Sequence, residues 1–166
     1  MLTTEQRKLR KAHIGSSDIA AIMGIDHWNS PHDIWMTKVY DVEPSPDSMA
    51  IIRGNMFEPA LVKYAAEKLG EISVEFDAHR ICKNHPVFAS QMDGYLPGKN
   101  QGIEAKTTGN YRPWEDGVPD NVQLQCQHQM LCFGMNIVHV VADIPTYYME
   151  DGEPRISIEI KMMSVE

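Results

Sequence analysis

Apolar residues recur at helical spacing in several stretches of the chain, between residues that typically start and end helices. The apolar run at residues 19–23 follows two serines and an aspartate and stops at Gly24. This pattern predicts a short helix whose start is capped by the hydroxyl of Ser16 or Ser17. Ser30 begins an S-P-H-D sequence with the spacing of a capping box and proline in the first turn, so a second short helix is expected there.

Two longer helices are predicted further along the chain. Residues 49–69 carry apolar side chains at roughly helical intervals and are closed by Gly70, with Pro59 as a possible kink. Residues 121–133 repeat the pattern and end at Gly134.

Between and after these helices the period changes to two. Residues 72–77 alternate apolar and polar side chains, as a half-buried strand does, and short strands are expected at 80–82, 87–92 and 102–106. Two further β-like runs, at 137–144 and 156–162, are separated by the turn sequence Asp151-Gly152. Helices before and within a mixed sheet indicate an α/β or α+β fold. A chain of 166 residues suits one domain, spanning 1–166.

Composition narrows the class of protein. Hydrophobic residues make up 43% of the chain, but no apolar run approaches the ~20 residues that span a membrane. The charged N-terminal stretch is not followed by an apolar segment, so we expect no secretory signal and a cytoplasmic location. Cys82, Cys126 and Cys132 are odd in number and lack CxxC spacing, which argues for free, mostly buried thiols.

The net charge of −8 opposes a nucleic-acid partner only in part, because net charge averages over the surface. Four basic residues are concentrated near the N-terminus: Arg7, Lys8, Arg10 and Lys11. They are either a local footprint for a phosphate backbone or the solvated face of a helix.

The sequence around Asp93, Glu104 and Lys106 suggests hydrolytic chemistry. Glu104 and Lys106 are two residues apart in a predicted strand, so their side chains share a face, beside Asp93 on the neighbouring strand. Two carboxylates suit Mg²⁺, which could polarise a scissile phosphate, while the lysine orients water or neutralises developing charge. The alternative interpretation is an ordinary cross-strand ion pair.

Other polar residues could serve the same site. Glu58 lies among apolar neighbours on the long predicted helix and is either a third acid or a residue that faces water or pairs with Arg53. Gln125 and Gln129 share one face of the later helix, where an amide could hold water or a phosphate oxygen. Arg10 and Ser17, near a helix start, could bind a terminal 5′-phosphate.

Five short segments occur in a fixed order along the chain. They are GSSDIA at 15–20, RGNMFEP at 53–59, SQMDG at 90–94, IEAK at 103–106 and QCQHQM at 125–130. Together they resemble the successive motifs of YqaJ-type viral recombinases, relatives of phage lambda exonuclease in the PD-(D/E)xK nuclease superfamily. The resemblance spans residues 10–134.

The resemblance implies a fold and an activity. The expected fold is a restriction-endonuclease-like core, in which helices flank a mixed central sheet. The expected activity is a Mg²⁺-dependent exonuclease, with Mn²⁺ as a substitute, that digests the 5′-ended strand of linear double-stranded DNA. The remaining 3′ single strand would pass to a single-strand annealing protein during phage-type recombination in a bacterial host.

Roles for individual residues follow from the resemblance by position. The implied metal site has four members: Asp93, Glu104, Ala105 through its carbonyl, and Glu58. Lys106 would activate or orient the attacking water, and Gln125 would assist in the same site. Arg10 and Ser17 would bind the 5′-phosphate and so set polarity.

The chain departs from the family pattern at two positions and leaves alternatives open. Met92 replaces the usual proline before the first metal acid, and Thr107 replaces the frequent Cys-Pro pair after the lysine. Neither change removes a ligand. The resemblance also implies a homo-oligomer, the ring-shaped trimer of the lambda enzyme, although this chain is shorter than that enzyme. An endonuclease of the same superfamily and a non-catalytic DNA-end-binding module remain alternative functions.

Overall fold

A computed structural model describes residues 4–40 and 47–166. The helices are α1 (Thr4–Ala12), α2 (Ile19–Ile22), α3 (Pro31–Val39), α4 (Met49–Lys68) and α5 (Asp120–Phe133), with single 3₁₀ turns at Ser16–Asp18 and Arg112–Trp114. The strands are β1 (Glu75–Ile81), β2 (Ala89–Leu96), β3 (Gln101–Thr107), β4 (Val138–Glu150) and β5 (Glu153–Val165). No helix within these described ranges is both long and apolar enough to cross a membrane.

The five strands form one mixed sheet in the order β1-β2-β3-β4-β5. Neighbouring strands are antiparallel except for β3 and β4, which run parallel and are connected through α5. A parallel pair needs such a crossover, because a hairpin can join only antiparallel strands. The predicted mixed sheet with helices before and within it is therefore confirmed.

Helices cover the sheet on both faces. On one face α4 buries apolar side chains against β2, β3 and β4: Leu61, Val62, Ala65, Ala66, Leu96, Ile103 and Val141. On the other face α5 packs on a second cluster that includes Val122, Cys126, Met92, Val138, Val140, Ala142 and Ile144. All three cysteines are buried and free, as expected.

The sheet differs from the sequence expectation at its first edge. The alternating run at 72–77 and the segment at 80–82 form a single strand, β1, and Ile72 lies outside it. Asp77 has a left-handed backbone, with φ of 51°, and interrupts the ladder between the pairs Phe76–Gly94 and Ala78–Met92. This break lies opposite Asp93 in the register. A non-glycine residue in this conformation is uncommon and is tolerated most readily by Asp and Asn.

The hairpin at the other edge is longer than predicted. β4 and β5 stay paired from Val138–Val165 to Glu150–Glu153. The predicted turn is confirmed, since Asp151 and Gly152 have φ values of 53° and 80°. Two consecutive positive φ angles match the twist of a two-residue hairpin.

The cap prediction at the first short helix is wrong. No serine side chain caps it: Gly15 is the N-cap of the 3₁₀ turn, and its N–H donates to Asp18 Oδ2 at 2.8 Å. Ser16 is instead buried, with its Oγ 3.2 Å from that of Ser90, because a tertiary contact takes the place of the local cap. The predicted cap of α3 is confirmed by the bond from Asp33 N–H to Ser30 Oγ at 3.3 Å.

Candidate active site

The antiparallel pairing of β2 and β3 brings Asp93 and Glu104 side by side. The ladder ends at the pair Gly94–Ile103, and the two acids are the next residues of their strands beyond this pair. The Ala105 N–H donates to Asp93 Oδ2 at 2.8 Å, which ties the aspartate to the neighbouring strand. The structure thus brings together the first three residues of the expected metal site.

Glu104 is 2% exposed and is held by three donors. Lys106 Nζ at 2.5 Å and Gln125 Nε2 at 2.6 Å donate to its Oε1, and Gln129 Nε2 at 2.5 Å donates to its Oε2. Lys106 also donates to Gln125 Oε1 at 3.0 Å. A buried carboxylate needs such partners, and here they fix both of its oxygens. A simple surface ion pair does not describe this arrangement.

The acids crowd one another. Burial raises the pKa of the Asp93 carboxyl well above its usual value, and the charge of Glu104 raises it further, against the opposing charge of Lys106. Burial lowers the pKa of the Lys106 ammonium, but the charges of Glu104 and Asp93 outweigh this effect, so that pKa lies above its usual value. Burial and the nearby Glu104 therefore disfavour the ionised form of Asp93, and the one ammonium of Lys106 does not offset this effect.

Glu58 on α4 belongs to the same electrostatic cluster. Burial, followed by the charges of Asp77 and Glu104, raises the pKa of its carboxyl. The expected alternative, a pair with Arg53, is absent, because Arg53 binds Asp143 on β4 at 2.6 Å. The long helix thus points Glu58 toward the acids of the sheet.

The residues fit a hard divalent cation. Asp93 and Glu104 lie close enough for the charge of Glu104 to raise the pKa of Asp93, and a cation bound by their oxygens would relieve this repulsion. Within residues 4–40 and 47–166, no three Asp, Glu, His or Cys side chains already stand in metal-binding geometry. Lys106 Nζ donates to Glu104 Oε1, so one positive charge already lies against one of the two acids.

Arg10 and Ser17 line one small pocket, although they lie on different elements. His13, His79 and Gln91 line it as well. The Nδ1 of His13 donates to the Leu9 carbonyl at 3.0 Å, which fixes the ring against α1. The other basic residues of the N-terminal cluster, Arg7, Lys8 and Lys11, are exposed on α1.

A larger cleft, of about 940 Å³, also borders the site. Lys106 and Gln125 lie at its wall, and the loop after α2 contributes Trp28. Residues close to the acids thus line both the small pocket, through Gln91, and the wide cleft, through Lys106 and Gln125.

Sequence reasoning missed several residues of the site. The sequence places Gln129 on the same helix face as Gln125 but does not indicate that it is fully buried and binds Glu104. Asp77 is one of the polar residues of the alternating run at 72–77, and nothing in the sequence indicates its positive φ. His79 is brought to the pocket by strand pairing alone, with Gln91 as its partner.

Comparison with known proteins matches this chain to one family. Residues 6–136 match the model of the YqaJ-like viral recombinase domain. A curated relative, the uncharacterized protein YqaJ of Bacillus subtilis (strain 168), is 27% identical over 132 residues, which are 75% of this chain and 40% of the relative. The chain thus spans less than half the length of that relative.

Solved structures share the fold. An alkaline exonuclease, LHK-Exo, from Laribacter hongkongensis superimposes with a TM-score of 0.70 at 19% identity, covering 96% of this chain and 82% of that one. A phage related exonuclease from Haemophilus somnus 129PT gives a TM-score of 0.60 at 12% identity, covering 96% and 86%. These matches confirm the fold expected from the sequence motifs.

Proposed function

Since the chain belongs to the YqaJ-like viral recombinase domain family, we propose that it is a metal-dependent deoxyribonuclease that digests the 5′-ended strand of linear double-stranded DNA. The observation that carries the proposal is the buried Glu104, fixed by Lys106, Gln125 and Gln129 beside the crowded Asp93. A purely structural ion pair would need neither the second acid nor donors on both glutamate oxygens.

The metal would be held by Asp93, Glu104 and the carbonyl of Ala105, with Glu58 as the acid supplied by α4. Mg²⁺ or Mn²⁺ suits these oxygen ligands, and when bound it supplies Lewis acidity toward the phosphate and a more acidic water. The remaining chemistry belongs to side chains of this protein. Lys106 orients the attacking water or neutralises the charge that develops on the phosphate, as an ammonium held within a buried network can.

Gln125 positions this lysine. Its amide oxygen accepts from Lys106 Nζ at 3.0 Å, and its amide nitrogen donates to Glu104 at 2.6 Å. One side chain therefore sets the separation between the metal ligand and the ammonium. We infer that loss of Gln125 lowers the rate of cleavage without unfolding the chain.

The pocket with Arg10 and Ser17 would bind the 5′-phosphate of the strand being cut. Both residues line the pocket, and Gln91, two residues before Asp93, lines it too. A terminal phosphate held there would place the next phosphodiester near the acids, and digestion would proceed from the 5′ end. The product, a 3′ single strand, would be passed to an annealing protein, and a ring of three chains would keep the enzyme on its substrate.

One experiment tests both activity and direction. Purified protein would be incubated with Mg²⁺ and linear duplex labelled separately at each 5′ and 3′ end, with a covalently closed circle as control. We expect early release of the 5′ label as a mononucleotide and an intact circle. Cutting of the circle would replace the proposal with an endonuclease.

Two variants test the site. Lys106→Ala and Asp93→Ala are each expected to abolish digestion while the circular-dichroism spectrum is unchanged. Lys63→Ala, which removes an exposed lysine of α4, serves as the matched control and should digest normally. Undiminished digestion by Asp93→Ala protein would refute the assignment.

A further inference from the structure

Trp28 is 89% exposed, and hydrogen bonds within its loop fix the backbone on either side of it. The N–H groups of Ile25 and Asp26 both donate to the Ala20 carbonyl, at 3.0 and 3.2 Å. Asp26 then accepts from the Trp28 N–H at 3.2 Å and from Asn29 Nδ2 at 3.1 Å. The loop therefore presents a large aromatic ring to solvent from an ordered backbone, which favours an intermolecular contact for that ring.

The chain segment that carries Trp28 contributes residues to both pockets. The segment that carries it begins at Ser16 and Ser17, which line the small pocket, and ends at Trp28, which lines the wide cleft. On the sheet, Gln91 lines the small pocket and Lys106 lines the cleft. A strand with its 5′-phosphate at the small pocket and its next phosphate at the acids would therefore continue into the cleft beside Trp28.

The chemistry of the cleft suits bases better than phosphates. Among the described residues that line it, Lys106 is the sole lysine or arginine, and His27 is the sole histidine. Asp116 and Asp120 add negative charge to the wall. Asn110 and Asn121 add amide side chains that can bind the edge of a base. Affinity for a nucleic acid must then come from its bases, and base–aromatic stacking tolerates any sequence.

We propose that Trp28 stacks on the nucleobase immediately 3′ of the scissile phosphate. This inference rests on the proposed function, because it takes the cut strand to be anchored at its 5′ end. Stacking of the exposed indole holds the second nucleotide of the strand away from its complement and so separates the duplex end at the site of cutting.

The test uses 2-aminopurine, whose emission is quenched when it stacks on an aromatic ring. The probe is a duplex with a frayed, 5′-phosphorylated end and a non-hydrolysable methylene phosphonate as its first linkage, bound by full-length protein in Mg²⁺. The fluorophore is placed at the second nucleotide or, as control, deep in the duplex. We expect quenching by the wild-type protein and by Trp28→Phe at the second nucleotide only.

Trp28→Ala is expected to lose this quenching and to bind the probe about tenfold more weakly, the usual effect of removing one stacking partner. Trp35→Ala is the matched control, because Trp35 is also partly exposed but lies on α3, outside the residues that line the cleft. It should bind and quench as the wild type does. Equal quenching and affinity in Trp28→Ala and wild type would overturn the proposal.

A second experiment distinguishes binding of the DNA strand from binding of a released mononucleotide. Titration with a free deoxynucleoside monophosphate, followed by intrinsic fluorescence, should leave Trp28 unaffected at concentrations at which the probe saturates. Displacement of the probe by the free nucleotide at equal concentration would overturn the assignment to the strand. If the wild-type protein cleaves no DNA, the proposed function fails, whereas the quenching comparison still reports on stacking.

Discussion

Replacement of Gln129 by methionine is expected to weaken both the fold and the metal site. The side chain is fully buried, and its Nε2 donates to Glu104 Oε2 at 2.5 Å and to the Gln91 carbonyl at 3.2 Å. Loss of a hydrogen bond to a charged acceptor costs about 1.5–3 kcal/mol. The Gln129 Oε1, however, has no partner among the described residues, so its removal returns about 1 kcal/mol.

The net loss for Gln129→Met is therefore about 0.5–2 kcal/mol of the free energy of unfolding, since methionine fills a similar volume. In a chain of this size each kcal/mol corresponds to a fall of about 2–4 °C in Tm. Because Glu104 loses the donor that fixes its second oxygen, the metal should also bind about 10–100-fold more weakly. Urea denaturation measures the first effect and calorimetric titration with Mg²⁺ or Mn²⁺ the second.

Gln127→Met on the same helix is the control, because Gln127 is exposed. It should change neither Tm nor metal affinity. If Gln129→Met kept both at their wild-type values, or if Gln127→Met lowered both as much, Gln129 would not be the residue that orients Glu104.

Three further outcomes are expected. Removal of the 5′-phosphate from linear duplex should slow digestion by the wild type but hardly affect Arg10→Ala, and equal sensitivity of the two proteins would refute the pocket. Burial and neighbouring charge raise the pKa of Asp93 and of Glu58. The folded, metal-free chain therefore binds more protons than the unfolded chain. Its stability falls as the pH rises from about 4 through the raised pKa values. In chelator, the stability advantage of Asp93→Asn over the wild type should therefore grow with pH, and an advantage that shrinks would contradict this reasoning. Gly94→Ala should cost about 1–3 kcal/mol, because a Cβ there would stand 2.6 Å from Val62 Cγ1, and Val62→Ala should recover part of the loss in a double-mutant cycle.

The sequence predicted features that are encoded within a few residues. The bounds of α4 and α5 followed from apolar spacing and from Gly70 and Gly134, whose positive φ values of 72° and 68° end these helices. The spacing of Glu104 and Lys106 placed their side chains together because a strand has a period of two. Roles in the site were assigned to Glu58 and Gln125 from the family motifs, because no local pattern sets these two residues apart from other polar residues of their helices.

Features that depend on pairing between distant segments were not predictable. The alternation of Ile72 and Val74 indicated a strand, but β1 begins at Glu75, opposite Tyr95 near the end of β2. Ser16 has the sequence of a helix cap, yet its hydroxyl meets Ser90, which lies 74 residues away. In each case a tertiary contact decided between local possibilities of similar energy.

The crossover through α5 has a consequence for the order in which the chain becomes ordered. Glu104 finds its amide partners on the helix that connects β3 to β4, so the cluster around Glu104 cannot form before this parallel unit closes. The links between the pocket with Arg10 and the rest of the fold include the β-bridge between Ile14 and Phe88 and the contact of the Ser16 hydroxyl with that of Ser90. Amides of β3 should then exchange with solvent only on global unfolding, whereas the N-terminal segment opens at lower free energy. The segment that carries Arg10 and Ser17 can therefore open while the cluster around Glu104 stays intact.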